Sequence, residues 1–259
     1  MEDSTVQVQG RQWSRHAKRY DDLFLDPFRE GVENPVLDAL QSVPEPGSKT
    51  VADLGCGTGP LLPFLVERFG RVVALDFAPG MIARARERLG DHADRVTFER
   101  RAMHELAAYE GALDVAVAVN SLVMPDVRLI DRTLKAIRAA LRPRGVFLGA
   151  VPAMDALHYQ TMLLYDQALD RGDDPEAAER HAAFHCEHHY YDFAFGRFTF
   201  QGLRQKFWQP FEIEHRMRKA GFRSVKLGKV LYPWDESLPG GAEFAGHPRS
   251  WDWFFVARP

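Results

Sequence analysis

The stretch VADLGCGTGP, residues 51–60, places three glycines on alternate positions directly after a short apolar run that contains Asp53. Glycines at the turn from a strand into a helix let the backbone adopt positive φ and pass close to a ligand. The dinucleotide fingerprint G-x-G-x-x-G requires a glycine where Pro60 stands, and the carboxylate of Asp53 would repel a pyrophosphate. The stretch therefore favours a ligand that carries a positive charge or an amine.

The composition is that of an ordinary globular protein. Its 259 residues, 46% of them hydrophobic, suffice for a full core. Thirty-three basic and 36 acidic side chains give a net charge of −3, so no overall field attracts nucleic acid or an anionic membrane. Two cysteines cannot form a disulfide framework, and the polar start MEDSTVQVQG lacks a signal-peptide layout. We expect a cytoplasmic protein with neither a nucleic-acid nor a membrane partner.

Between Asp53 and Val151, apolar strand-like runs alternate with amphipathic stretches, which predicts parallel strands joined by crossover helices. The predicted strands are TVADLG, RVVALD, RVTFER, LDVAVAVN and RGVFLGAV. Farther on, QPFEIEHRMRKAGF predicts a helix that begins near Pro210 and ends at Gly221. FRSVKLGKV and SWDWFFVARP are predicted to be the closing strands.

Residues 152–208 interrupt this alternation with a long helical pattern, a His-rich run and the aromatic stretch DFAFGRFTF. We expect one domain over residues 1–259, with an N-terminal helical cap over 1–45 and an insertion over 152–208 that covers the site as a lid. DFAFGRFTF predicts a tight hairpin around Gly196. Its phenylalanines would share one face, which either walls an apolar pocket or packs against the sheet.

VADLGCGTGP resembles motif I of the class I S-adenosylmethionine-dependent methyltransferases, whose usual form is close to V-L-D-x-G-C-G-x-G. VVALDFAPGM is similar to the second strand of that family, which ends in an acid, and ALRPRGVFLGAV to its turn and fifth strand. WSRHAKRYD and QPFEIEHRMRKAGF are similar to its small-molecule branch, often called type 11. The resemblance implies an α/β, Rossmann-like fold: a seven-stranded, mostly parallel sheet with an antiparallel last strand and helices on both faces.

The resemblance also implies the cofactor S-adenosyl-L-methionine, with S-adenosyl-L-homocysteine as product. Asp76 can accept hydrogen bonds from both ribose hydroxyls, and Phe77 and Met81 either pack on the adenine or belong to the core. Ala102 stands where the family commonly has an acid, so backbone groups there, or His104, would contact the adenine. The expected cofactor contacts are Asp53, Gly55, Cys56, Gly57, Gly59, Asp76, Phe77, Met81, Ala102, Met103, Asn120 and Tyr20.

Two of these positions have a structural alternative. Asn120 follows the fourth strand, from which family members reach both the methionine part of the cofactor and the acceptor, but a strand-end Asn also caps turns. Trp13, His16 and Tyr20 share one helical face. Tyr20 resembles the family's N-terminal tyrosine near the methyl donor, and the same face would also pack against the sheet. We expect Tyr20 to be catalytic as well.

The run ERHAAFHCEHHYYD, residues 179–192, is rich in histidine and follows a helix start at Asp174 and Pro175. Continued helix would align His181 with the later histidines, which is a metal-ligand spacing. The His-rich run contains neither an H-E-x-x-H pattern nor a second ligand motif, so we expect no metal site. An imidazole titrates near neutrality and can take the acceptor's proton, and we predict His188 or His189 as this base.

These features together predict methyl transfer from S-adenosylmethionine to a small-molecule acceptor. Aromatic residues in the insertion outnumber lysines, of which it has Lys206 alone, so a small, partly aromatic or apolar acceptor is favoured over a phosphate backbone. One alternative is a protein that binds S-adenosylmethionine without catalysis. A nicotinamide-dependent oxidoreductase is a further alternative, disfavoured by Pro60 and Asp53.

Overall fold

The computed structural model describes residues 10–15, 17, 24–183, 191–200 and 203–259. Residues 10–15 are helical, and the helices that follow are α1 Pro35–Gln41, α2 Leu62–Arg68, α3 Pro79–Leu89, α4 Val127–Ala140, α5 Met154–Asp170, α6 Pro175–Ala182 and α7 Pro210–Lys219. The strands are β1 Thr50–Leu54, β2 Arg71–Asp76, β3 Val96–Arg100, β4 Leu113–Val119, β5 Leu141–Pro152, β6 Tyr191–Asp192, β7 Arg197–Phe200, β8 Leu203–Lys206, β9 Ser224–Tyr232 and β10 Ser250–Arg258.

Seven of these strands form one sheet in the order β3-β2-β1-β4-β5-β10-β9. Strands β1 to β5 are parallel to one another, and β10 runs antiparallel to both of its neighbours, β5 and β9. The first strand, β1, thus lies in the middle of the sheet. β2 and β3 are added on one side of it and β4 and β5 on the other, which creates a crevice at the carboxyl ends of β1 and β4. The predicted seven-stranded, mostly parallel sheet with an antiparallel last strand is confirmed.

Helices cover both faces of this sheet. Successive residues of β1 enter different hydrophobic clusters, Val51 on one face and Ala52 on the other. Leu62 of α2 joins the first cluster, and Ile130 of α4 joins the second. The central strands are therefore buried on both sides, as parallel sheets in α/β proteins are.

Local sequence signals set the helix ends, and α7 begins near Pro210 and stops before Gly221 as predicted. Asp126 accepts a hydrogen bond from the backbone N–H of Arg128 at the start of α4. Helices α3 and α7 begin with Pro79 and Pro210, at which the missing N–H costs nothing. Two residues after the end of α7, Gly221 adopts a φ of +99°, a conformation that favours glycine.

Residues 153–208 carry α5, α6 and a second sheet in the order β6-β7-β8. The end of this segment is hydrogen-bonded to the loop after β4 and to the last residue of β5. Lys206 N donates to Val123 O (3.0 Å), Trp208 N donates to Pro152 O (2.8 Å), and Trp208 Nε1 donates to Leu122 O (2.8 Å). The segment is therefore anchored beside the carboxyl ends of β4 and β5. Its role as a lid, like the division at residue 45, stays a prediction.

The predicted two-stranded hairpin over residues 192–200 is wrong in its first arm. Residues Phe193–Phe195 form a 3-10 turn, and β6 ends at Asp192. Phe195 N donates to the Asp192 carboxylate, and Phe195 O accepts from Lys206 Nζ at 2.6 Å. Side chains rather than a partner strand thus form the hydrogen bonds to the Phe195 backbone in this turn. Gly196, at φ +58°, closes it where a Cβ would lie 2.5 Å from Phe207 O.

Helix α6 begins as predicted, since Asp174 accepts a hydrogen bond from Ala177 N and Pro175 follows it. It ends at Ala182, after His181. The predicted alignment with His185 and His188 lies outside the described residues. Within the part of the chain that the structure describes, no His, Cys, Asp and Glu side chains form a group of three that could hold a metal ion.

Among the helices of the described ranges, none combines the length and the apolar character that a membrane crossing requires.

Candidate functional site

A cavity of about 1050 Å³ lies at the carboxyl edge of the parallel strands. The segments that follow β1, β2 and β4 form one wall, and the start of β10 and part of α5 form another. This is the edge at which open α/β sheets bind their ligands. Its volume is at the upper end for small-molecule sites, so it can hold a nucleoside and a second small molecule together.

The glycine turn after β1 is shaped by two close approaches. At Gly55, which has a φ of +71°, a Cβ would lie 2.6 Å from the Cβ of Ser121. At Gly59, a Cβ would lie 2.9 Å from both Ala85 and Leu62. Gly55 thus lets the turn after β1 contact the loop after β4, and Gly59 lets α2 pack on α3. Gly59 lies outside the cavity wall and acts through helix packing.

Gly57 differs from the other two glycines. It has a φ of +54° and lines the cavity, and a Cβ placed on it would meet no protein atom within 4 Å. Its backbone N–H donates to Asp76 Oδ2 at 3.1 Å. The space beside Gly57 is therefore open to a ligand that a side chain would displace.

Two buried carboxylates, Asp53 and Asp76, lie beneath the glycine turn. Burial, reinforced by the charge of Asp76, raises the pKa of Asp53 to about 7. Burial raises the pKa of Asp76 to about 6, although backbone N–H groups of Ala78 and Gly57 donate to its two oxygens and oppose this rise. The pair concentrates negative charge that a cationic ligand would relieve.

An apolar wall adjoins Asp76. Phe77, Met81 and Met103, which are predicted to contact the adenine, line the cavity, and Trp13 of the N-terminal helical segment completes this wall. Met81 is buried and packs against Trp13. Both Ala102 and His104 lie outside the cavity wall. Ala102 N donates to the Glu105 carboxylate, so this N–H is not available to the adenine.

Cys56 is a buried thiol beside these carboxylates. It lines the cavity, and its backbone N–H donates to Leu75 O at 2.9 Å, as does that of Gly55 at 2.7 Å. Burial, together with the charges of Asp53 and Asp76, raises the pKa of the Cys56 thiol well above its usual range. The thiol is therefore protonated and is a packing group rather than a nucleophile.

Asn120 ends β4 in a left-handed conformation, with a φ of +49°. Its Nδ2 donates to Asp252 Oδ2 at 2.8 Å, and Tyr232 donates its hydroxyl to the same oxygen at 2.6 Å. All three side chains line the cavity. A strained non-glycine backbone next to a cavity is typical of functional sites.

Sequence reasoning missed the part of the site contributed by β9, β10 and the insertion. Asp252 was hidden inside the aromatic run SWDWFF, which was interpreted as a strand and nothing more. A lone acid in an otherwise apolar strand was the available signal. Tyr232 and Gln205, which also line the cavity, carried no local signal.

The three residues predicted to be catalytic, Tyr20, His188 and His189, lie outside the described residues. The described part of the insertion does reach the cavity, through side chains of α5, β7 and β8 and the residue that follows β8. These are Ala156, Leu157, Gln160, Thr199, Gln205 and Phe207.

The cavity fits S-adenosylmethionine on three observations. Open space faces Gly57, a carboxylate follows β2, and an apolar wall lies next to that carboxylate. These features match a methionine chain that must pass close to backbone, a ribose diol and an adenine ring. The paired acids Asp53 and Asp76 also suit a ligand with an ammonium and a sulfonium.

Comparison with known proteins gives the same assignment. Residues 51–145 match a family described as "Methyltransferase domain". The chain is 27% identical over 209 residues to the ubiquinone biosynthesis O-methyltransferase of Xanthomonas axonopodis pv. citri, covering 78% of this chain and 74% of that protein. It is 38% identical over 110 residues to the highly reducing polyketide synthase easB of Emericella nidulans, covering 38% of this chain and 4% of that protein.

Among solved structures, the chain resembles the 1,6-didemethyltoxoflavin-N1-methyltransferase of Burkholderia thailandensis. The two superpose with a TM-score of 0.58 at 21% identity, covering 99% of this chain and 88% of that one. At this identity the likeness concerns the fold. The strand order, the glycine turn followed by Asp76, and the matched domain agree with one another, and the chain belongs to the class I S-adenosylmethionine-dependent methyltransferases.

Proposed function

We propose that this protein transfers the methyl group of S-adenosylmethionine to a small-molecule acceptor. The observation that carries the proposal is the cavity at the carboxyl edge of the sheet, where an open glycine turn and two buried carboxylates adjoin a second lobe, the part of the cavity lined by residues of α5, β8, β9 and the start of β10. The relatives named above support a small acceptor, since their names specify O-methylation in ubiquinone biosynthesis and N1-methylation of 1,6-didemethyltoxoflavin.

When bound, S-adenosylmethionine supplies a methyl group activated by its sulfonium. Asp76 would hold the ribose, Gly57 would admit the methionine chain, and Phe77 and Met81 would cover the adenine. The remaining task of the chain is to hold the acceptor in line with the methyl group and to exclude water, which accelerates displacement through orientation. Residues of α5 and β8 line the second lobe and are suited to that task.

The proton that leaves an O–H or N–H acceptor needs a base. We propose His188 or His189 for this step, because both belong to the insertion and an imidazole titrates near neutral pH. Tyr20 is proposed as a neighbour of the methyl donor. Replacing His188 and His189 together by Ala is expected to lower turnover and leave S-adenosylmethionine affinity nearly intact.

The test is a screen of small molecules scored by release of S-adenosylhomocysteine. Release with at least one acceptor is expected, and it should be lost in Asp53→Ala and Asp76→Ala because these variants no longer bind the cofactor. Glu87→Gln, an exposed substitution on α3, is the matched control and should keep full turnover. Binding without release for any acceptor would indicate the non-catalytic alternative.

A further inference from the structure

The second lobe of the cavity contains a hydrogen-bonded triad that the cofactor assignment does not use in full. Asp252 Oδ2 accepts from both Asn120 Nδ2 (2.8 Å) and the Tyr232 hydroxyl (2.6 Å). Tyr232 is buried, with 3% of its surface exposed. Because a carboxylate can only accept, it fixes which end of the Asn120 amide carries the nitrogen. The amide oxygen of Asn120 is thereby directed elsewhere.

Four buried polar atoms of cavity-lining residues lack a hydrogen-bond partner among the described residues. One is an acceptor, Asn120 Oδ1, and three are donors: Arg29 Nε, Gln205 Nε2 and Trp251 Nε1. Gln205 is only 5% exposed, and its Nε2 is buried. Buried polar groups without partners are rare in native proteins, because each one costs free energy. A donor group on a bound ligand would satisfy Asn120 Oδ1, and an acceptor group elsewhere on that ligand would satisfy the three N–H donors.

The charge of the lobe selects the sign of that ligand. Asp26, Glu236 and Asp252 line the cavity in addition to the two carboxylates under the glycine turn. Burial and the charge of Asp252 raise the pKa of Tyr232, and the charge of Asp26 adds to this rise.

Three arginines, Arg29, Arg88 and Arg101, line the cavity against five carboxylates, so they do not offset this charge fully. Arg29 forms an ion pair with Asp235 at 2.6 Å, and Arg101 forms one with Glu99 at 2.8 Å. Phe24, Phe28 and Trp251 supply apolar or aromatic surface to the same wall.

We propose that the Asn120–Asp252–Tyr232 triad is the recognition site for an amino group on the methyl acceptor, whose aromatic or apolar body lies along the adjoining wall. The proposal rests on the methyltransferase function proposed above and names the acceptor class for the same cavity. An ammonium or amine donates to Asp252 and to Asn120 Oδ1, which are both acceptors. A carboxylate at that place would face the negative charge of Asp26 and Asp252.

The experiment uses three probes with one ring and different head groups: benzylamine, benzyl alcohol and benzoate. Their binding to the full chain, loaded with S-adenosylhomocysteine, is measured by calorimetry. A charge-assisted hydrogen bond changes affinity by about tenfold or more, so benzylamine should bind at least about tenfold more tightly than benzoate. Equal binding, tighter binding of benzoate, or no binding of benzylamine at millimolar concentration would overturn the proposal.

Variants separate this inference from the proposed function. Asp252→Asn should weaken benzylamine about tenfold while benzyl alcohol and S-adenosylhomocysteine change little. Asp166→Asn, on the exposed side of α5, is the matched control. Tyr232→Phe removes a donor but keeps the carboxylate, so benzylamine affinity should hold. If the wild-type chain does not bind S-adenosylhomocysteine at all, the proposed function fails. If Asp252→Asn weakens that ligand alone, the triad belongs to the cofactor and this inference fails.

Discussion

Replacing Gly57 by Ala tests whether the glycine turn serves a ligand or the fold. In the structure a Cβ at Gly57 meets no protein atom within 4 Å, so the substitution creates no clash. The remaining cost is the left-handed backbone, at φ +54°, which is worth about 1–2 kcal/mol for a residue with a Cβ. For a chain of this size that lowers Tm by roughly 2–8 °C. The added methyl group would occupy the space in which we place the cofactor.

Gly111 provides the matched control. It has a φ of +60°, and a Cβ there also meets no protein atom within 4 Å, but it lies outside the cavity wall. Gly57→Ala and Gly111→Ala should therefore show similar losses of Tm. Calorimetric titration should show S-adenosylmethionine affinity reduced by at least about tenfold in Gly57→Ala and unchanged in Gly111→Ala. Affinity within twofold of wild type in Gly57→Ala would refute the placement of the cofactor against this turn.

Three further predictions concern buried charges. S-adenosylmethionine affinity should rise between pH 5.5 and 8, because a cationic ligand favours the ionised forms of Asp53 and Asp76, whose pKa values are raised to about 7 and 6; a flat calorimetric profile would contradict this. Since the folded state holds the Asp53 proton more tightly than the unfolded state, ionisation lowers stability as pH rises towards 7. Asp53→Asn should thus gain more Tm relative to wild type at pH 8 than at pH 4.5, and equal differences at both values would exclude this linkage. Lys206 is fully buried and pairs with Glu212 at 2.7 Å. Lys206→Met should therefore lower the free energy of unfolding in urea by about 2–4 kcal/mol, less than the loss of an isolated buried pair, because Arg216 still pairs with Glu212. An unchanged midpoint would show that the pair does not stabilise the fold.

The sheet and the cofactor turn were predictable because their signals are local. The run RVVALD became β2, Arg71–Asp76, with the predicted bounds, since an apolar run between Gly70 and the turn at Ala78 leaves little choice of register. Glycines at positive φ after β1 likewise follow from sequence spacing alone. Asp76, the carboxylate at the end of β2, was predictable because it is the last residue of the same apolar run.

Contacts between distant residues were not predictable. Asn120 and Asp252 are 132 positions apart, and their hydrogen bond exists because β10 is inserted antiparallel next to β5. The 3-10 turn at Phe193–Phe195 depends on Lys206, which reaches back to the Phe195 carbonyl. A pattern of alternating phenylalanines contains no information about that lysine, so it predicted a strand.

The measurement that tests the central claim most directly is equilibrium titration of the purified full chain with S-adenosylmethionine, S-adenosylhomocysteine and NAD. We expect one site for S-adenosylmethionine and its product, no binding of NAD, and a loss of at least about tenfold in affinity for Asp76→Ala. Wild-type affinity in Asp76→Ala, or binding of NAD in place of S-adenosylmethionine, would contradict it.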